Sequence, residues 1–264
     1  MKKVLFLLFI FLSVAVVAQA GIHTEEIKYS AGGSKLTGYL AYDDSKSGKR
    51  PGVLVIHEWW GHNKHARERA KMLAKLGYTA LAVDMYGDGK LADHPKKAGE
   101  FMNAAFKDWE GSVAKFHAAK TVLMTHKTVD PGNIGAIGFC FGGAISQMMA
   151  RAGEPLKGIV AFHSALPNAP AMKKGQVTAS ILVINGGDDE FLNSDAVATF
   201  GKEMKDADVD FTYMSLKGVR HSYTNPQADA LSKKFGIPAM KYDAAADKRA
   251  WSAMQNFFKR VFGK

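Results

Sequence analysis

The chain has 264 residues, of which 47% are hydrophobic and 23% charged, and it carries a formal charge of +10 at pH 7. That composition excludes a disordered, collagen-like or coiled-coil chain, because enough apolar surface is present to offset the entropy of ordering it. A single cysteine excludes a disulfide framework and a cysteine-rich zinc site, and a mean hydropathy of −0.12 excludes a polytopic membrane protein.

At the start, Lys2 and Lys3 precede an apolar run over 4–17, and Ala18-Gln19-Ala20 supplies the small-x-small pattern of a signal peptidase site. Residues 1–20 therefore read as a cleaved Sec-type signal. The run is short for a spanning helix, which needs about 20 apolar residues, so no stable membrane anchor is expected after cleavage. The expected location is outside the cytoplasm, periplasmic or secreted. Lysines such as Lys71, Lys96, Lys173 and Lys233 are scattered and form no aromatic-basic motif. The positive charge thus reads as a solvated surface, and no nucleic-acid partner is expected.

From residue 21 onward strands and helices alternate. An antiparallel pair is expected at 23–43 around Ala31-Gly32-Gly33, then a buried strand at 52–57 and an amphipathic helix at 65–76 ended by Gly77. A strand at 78–83 and a helix at 109–124 follow, closed by the turn Asp130-Pro131-Gly132. Strands are expected at 133–138, 157–162, 180–184 and 210–214, with helices at 143–152, 195–207 and 244–262. Continuously apolar strands alternating with helices predict a mostly parallel, twisted α/β sheet with helices on both faces. No linker or repeat interrupts it, so residues 21–264 read as one domain. Ligands of such sheets bind beyond the carboxyl ends of the strands.

Three strand ends carry candidate chemistry. Gly138-Phe139-Cys140-Phe141-Gly142-Gly143 has the G-x-C-x-G form of a nucleophile elbow between strand and helix. The glycines flanking such a turn must be small because the nucleophile occupies a strained backbone conformation. The helix end that follows favours thiolate over thiol. Gly187-Asp188-Asp189-Glu190-Phe191 offers an acid able to orient a histidine, with Asp189 preferred and Asp188 as the fallback. Gly218-Val219-Arg220-His221-Ser222 offers His221 as a general base and acid. The order nucleophile, acid, histidine is that of the α/β-hydrolases. His57, His62 and His65 match no standard zinc spacing, and neither metal nor cofactor is expected.

These three segments, together with His57-Glu58-Trp59-Trp60-Gly61, resemble the dienelactone hydrolases (carboxymethylenebutenolidases) over residues 24–262. The resemblance implies an α/β-hydrolase fold and a Cys140–His221–Asp189 triad that cleaves a small ester or lactone through a thioester acyl-enzyme. It implies that Glu58 contacts Cys140 and governs its ionisation, and that the backbone N–H groups of Phe141 and Trp59 form an oxyanion hole. An arginine that holds the substrate carboxylate in the family, four residues after the histidine, is here Asn225. An amide cannot replace the two-pronged guanidinium contact, which points to esters or lactones other than dienelactone. Trp59, Trp60, Tyr86, Phe162 and Tyr223 are aromatic candidates for the pocket wall, with core packing as the competing role. Two further roles compete with hydrolysis: a non-catalytic binding protein on a hydrolase scaffold, and a thiol redox protein. The sequence does not specify an oligomeric state.

Overall fold

A computed structural model describes residues 21–167 and 172–263; the leader read at 1–20 lies outside these described residues. The chain begins with a hairpin of β1 (Ile22–Ala31) and β2 (Ser34–Asp43), and continues through β3 (Arg50–Ile56), α1 (Lys64–Lys75), β4 (Thr79–Val83), α2 (Pro95–Lys107) and α3 (Trp109–Thr125). Then come β5 (Val129–Phe139), α4 (Phe141–Arg151), β6 (Gly158–Phe162), β7 (Ser180–Gly186), α5 (Ser194–Asp206), β8 (Phe211–Leu216), α6 (Ala228–Phe235) and α7 (Ala244–Phe262). The strands form one eight-stranded sheet in the order β1-β2-β4-β3-β5-β6-β7-β8. The β1–β2 and β2–β4 pairs are antiparallel and the remaining pairs parallel.

The period of two in a strand explains the layering. In β3 every residue is buried. Val53 and Val55 face one core, with Leu73 of α1 and Met254 and Phe258 of α7. Leu54 and Ile56 face the other, with Phe116 of α3, Ile145 of α4 and Phe200 of α5. Burying one such side chain contributes about 2–3 kcal/mol, so two opposed faces of continuous apolar strand hold the sheet in register.

Helix ends follow from local side chains. Asn63 accepts from His65 N at 3.0 Å and starts α1, and Asp243 accepts from Ala246 N at 2.9 Å and starts α7. Arg69 sits on the buried face of α1 because its guanidinium pairs with Asp247 of α7 at 2.8 Å. Among the described residues, no helix is long and apolar enough to cross a membrane.

Three features differ from the sequence reading. Asp130-Pro131-Gly132, expected as a turn, lies inside β5: the register jumps so that Pro51 pairs with Asp130 while Gly52 pairs with Ile134. The extra residues bulge where proline cannot donate to the ladder. Helices α2 and α6 were not expected. His94 accepts from Lys96 N at 3.2 Å and Pro95 occupies the first turn of α2, which together start that helix.

The order β4-β3-β5 places a topological switch beside β3, where successive crossovers leave in opposite directions. The segments that follow β3, β5, β7 and β8 converge above the carboxyl edge at this point.

Candidate active site

Cys140 joins β5 to α4 with φ 52° and ψ −114°, a conformation that costs an L-residue roughly 1–3 kcal/mol. The surroundings fix it there. Cys140 N donates to Phe162 O at 3.0 Å, and Gly143 N donates back to Cys140 O at 3.0 Å. A Cβ at Gly138 would strike the backbone of Gly142. One at Gly142 would lie 2.7 Å from His57 O and closer still to Ile56 O. The turn is therefore compressed against β3 on one side and against its own helix on the other. Cys140 is partly exposed, and the thiol stands at the amino end of α4.

Asp189 follows β7 and is buried. Its Oδ1 accepts from Phe191 N at 3.0 Å and its Oδ2 meets His221 Nδ1 at 2.7 Å. Asp188 points elsewhere, accepting from Gly218 N at 3.2 Å, so the second aspartate of the pair is the one in contact with the histidine. Burial pulls the His221 imidazole down, but the facing Cys140 and the bond to Asp189 outweigh it and push it up to about 10. The ring is held between Phe191 (centroids 4.9 Å apart) and His163 (5.0 Å), both edge-on. Positive φ recurs here at non-glycine residues, at Cys140, His163 and Ser222.

Glu58 follows β3 and is buried. Its Oε2 accepts from Asn225 Nδ2 at 2.5 Å and lies 3.8 Å from His65 Nδ1, while Oε1 has no partner. Burial raises its carboxyl to about 7, against opposing contributions from Asn225, His221 and Ser222. The contact expected between Glu58 and Cys140 is replaced: among the described residues the carboxyl bonds to Asn225 and not to the thiol. Asn225 reaches it because Ser222 O accepts from Asn225 N at 2.9 Å, which turns the chain back over the sheet edge. His57 pins the same corner from below. Its Nδ1 donates to Glu58 O at 2.5 Å and its Nε2 accepts from Met85 N at 3.3 Å. Burial lowers the imidazole to about 4, consistent with a neutral ring bonded at both nitrogens. No group of three or more His, Cys, Asp or Glu side chains among the described residues is placed to hold a metal ion.

A cavity of about 220 Å³ opens over Cys140 and His221. Trp59 and Phe141 line it as expected of their positions. The backbone N–H of Trp59 enters no hydrogen bond among the described residues, and that of Phe141 belongs to the first turn of α4, which has no partner within its helix. The other aromatic candidates require correction. Trp60 is buried away from the cavity, stacked on Phe235 at 5.9 Å. Tyr86 is buried beneath the wall, with its hydroxyl donating to Trp59 O at 3.0 Å and its ring against His57. Tyr223 is fully buried and donates to Ile184 O at 2.9 Å. Phe162 is likewise fully buried, stacked on Phe139 at 4.9 Å. Each fills core volume; the two tyrosine hydroxyls are satisfied by backbone, whereas the Trp60 indole nitrogen is buried without a partner. The wall comes instead from Met102 and Phe106 of α2, Phe191 and Leu192 after β7, and Met240. The apolar spacing Ala98, Phe101, Met102, Ala105 behind Pro95 was the available signal for α2.

The model of the dienelactone hydrolase family matches residues 36–262. Protein usf of Aquifex pyrophilus is 30% identical over 238 residues, spanning 88% of this chain and 96% of that one. The crystal structure of a dienelactone hydrolase-like promiscuous phosphotriesterase from metagenomic libraries superposes with a TM-score of 0.86 at 36% identity, covering 91% of this chain and 99% of that one. A dienelactone hydrolase from Anabaena variabilis shares the fold, with a TM-score of 0.58 at 18% identity over 83% of this chain and 99% of its own. A family match across nearly all of the sheet, with the elbow and histidine segments inside it, leads to one conclusion: the chain belongs to the dienelactone hydrolase family and is an ester or lactone hydrolase with an α/β-hydrolase fold.

Proposed function

We propose that the chain hydrolyses a small ester or lactone through Cys140, His221 and Asp189, with a thioester acyl-enzyme as intermediate. The observation that carries this reading is the 2.7 Å contact between His221 Nδ1 and Asp189 Oδ2, in the same cavity as the strained Cys140. Asp189 holds Nδ1–H, and Nε2 holds the proton drawn from the thiol, in keeping with an imidazole pushed up to about 10 between Cys140 and Asp189. The thiolate sulfur then attacks the acyl carbonyl. The oxygen that becomes negative is received by the N–H groups of Phe141 and Trp59, donors typically worth about 3 kcal/mol each. Collapse of the tetrahedral adduct breaks the C–O bond, and the imidazolium returns its proton to the departing alkoxide. Water gives a proton to His221 and attacks the thioester, which releases the acid and restores the thiol. Glu58 stands behind these groups and shapes the field around His221 through its own protonation state.

Export also belongs to this reading: the sequence of residues 1–20 supports a cleaved signal and a working protein in the periplasm or medium. The intact mass of protein recovered outside the cytoplasm tests it, with a start near Gly21 expected. For the chemistry, Cys140→Ala is expected to abolish hydrolysis of p-nitrophenyl acetate while leaving the circular dichroism spectrum unchanged. Turnover within tenfold of the parent chain would end the covalent mechanism.

A further inference from the structure

Resting on the hydrolase reading above, we infer that the cavity selects substrates whose bound portion is neutral and apolar, and rejects those that carry a carboxylate. No lysine or arginine lines the cavity among the described residues. Its ionisable members are Cys140, Asp189 and His221. Both carboxyl oxygens of Asp189 are occupied, one by Phe191 N and the other by His221 Nδ1, so the acid and imidazole pair with each other rather than with a ligand. The hydroxyl of Ser164 is engaged as well, donating to Ala165 O at 2.7 Å and accepting from Gln147 Nε2 at 2.8 Å. The remaining surface is carbon from Met102, Phe106, Leu192, Met240, Trp59 and Phe141. Phe191 extends this surface outward, 59% exposed and perpendicular to the His221 ring. Asn225 adds no donor to the wall, since its amide is spent on the buried Glu58.

A carboxylate entering this space would exchange its hydration for hydrocarbon, with no lysine or arginine to meet it and with the His221 ring already paired with Asp189, and burial of an unpaired charge is strongly disfavoured. A neutral chain gains instead, by roughly fourfold in affinity per methylene buried. An apolar cavity of about 150 Å³ holds benzene, so 220 Å³ accommodates a group of roughly six to nine carbons.

The test compares two p-nitrophenyl esters of equal chain length, the hexanoate and the half-ester of adipic acid, which differ only in a terminal methyl or carboxylate. The hexanoate is expected to have a kcat/KM at least about 100-fold higher, close to 2.7 kcal/mol at roughly 1.36 kcal/mol per decade. Met102→Arg is expected to narrow that ratio by at least tenfold. A binding arm separates failure of this inference from failure of the hydrolase reading. Quenching of tryptophan fluorescence, to which Trp59 in the cavity wall contributes, by hexanophenone and by 6-oxo-6-phenylhexanoate, a matched ketone pair that cannot be hydrolysed, is expected to show at least 100-fold tighter binding of the neutral ketone. Selective binding of hexanophenone without turnover of either ester would uphold the cavity's preference and overturn the hydrolase reading. Equal binding of the two ketones, or a half-ester turned over within threefold of the hexanoate, would overturn the preference itself.

Discussion

Replacing Glu58 by glutamine removes a titrating proton from the floor of the site while keeping an oxygen for Asn225 to bond. In an unfolded chain the carboxyl ionises at its ordinary 4.5, whereas burial pushes it up to about 7 in the fold. Between those values the folded chain retains a proton that the unfolded chain has released, so the stabilising contribution is complete below pH 4.5 and is lost as pH rises through 7. At roughly 1.4 kcal/mol per pH unit the loss is about 3 kcal/mol. Glu58 is only 1% exposed, so solvent screening takes little from that figure. In Glu58→Gln the loss is absent. The amide nitrogen takes the place of Oε1, which has no partner, and this costs about 1–3 kcal/mol at every pH. The variant is therefore expected to be the less stable chain at pH 4, and its difference from the parent is expected to rise by about 3 kcal/mol by pH 8. His221, raised to about 10, also sheds stability as pH rises above its ordinary 6.5. Both chains carry the part of that loss set by Cys140 and Asp189, which cancels in the difference, whereas the part coupled to Glu58 belongs to the difference itself. Urea unfolding of the two proteins from pH 4 to 8 measures it. A difference constant to within about 0.5 kcal/mol over that range, the usual margin of additivity, would refute the assigned ionisation of Glu58.

Three further outcomes are expected. Gly142→Ala drives a Cβ into the Ile56 and His57 carbonyls; backbone cannot swing aside as a side chain can, so thermal and urea unfolding should show a loss of about 3 kcal/mol or more, and a loss below 1 kcal/mol would mean the elbow is looser than its geometry. Asp189→Asn presents an amide to His221 Nδ1 across the 2.7 Å contact and favours the tautomer whose Nε2 is already protonated. Ester hydrolysis should fall by roughly two to four orders of magnitude with little change in fold, whereas activity within tenfold of the parent contradicts the pairing. Tyr223→Phe leaves Ile184 O without its side-chain donor in a fully buried position. A stability loss of about 1–2 kcal/mol with an unaltered KM is expected, and a large change in KM would return Tyr223 to the pocket wall.

Much of the fold was legible because parallel strands buried on both faces are written as unbroken apolar runs, as in Val53 to Ile56 and Ile181 to Ile184. Helix α6 escaped because eight residues give periodicity too little length to register. Helix α2 escaped because Gly99 and the charges around it interrupt the apolar pattern, although its buried Ala98 and Ala105 lie seven apart. Within the site, residue type and chain order were enough to locate Cys140, Asp189 and His221, since each stands directly after a strand. The pocket wall was not legible. An aromatic side chain near a motif looks the same in sequence whether it turns into the core, as Tyr223 does, or toward the cavity, as Phe191 does. The bond between Asn225 and Glu58 spans 167 residues, and no local pattern encodes it.

The sulfur of Cys140 has no counterpart elsewhere in the chain. Every equivalent of a thiol-titrating reagent that the native protein consumes is therefore consumed at the elbow, and a sulfur lost to oxidation has no neighbour within the molecule to reclaim it as a disulfide. In the proposed chemistry the free sulfhydryl content of a preparation equals its population of competent molecules, so ageing, storage and oxidant exposure can be followed by a single colour reaction.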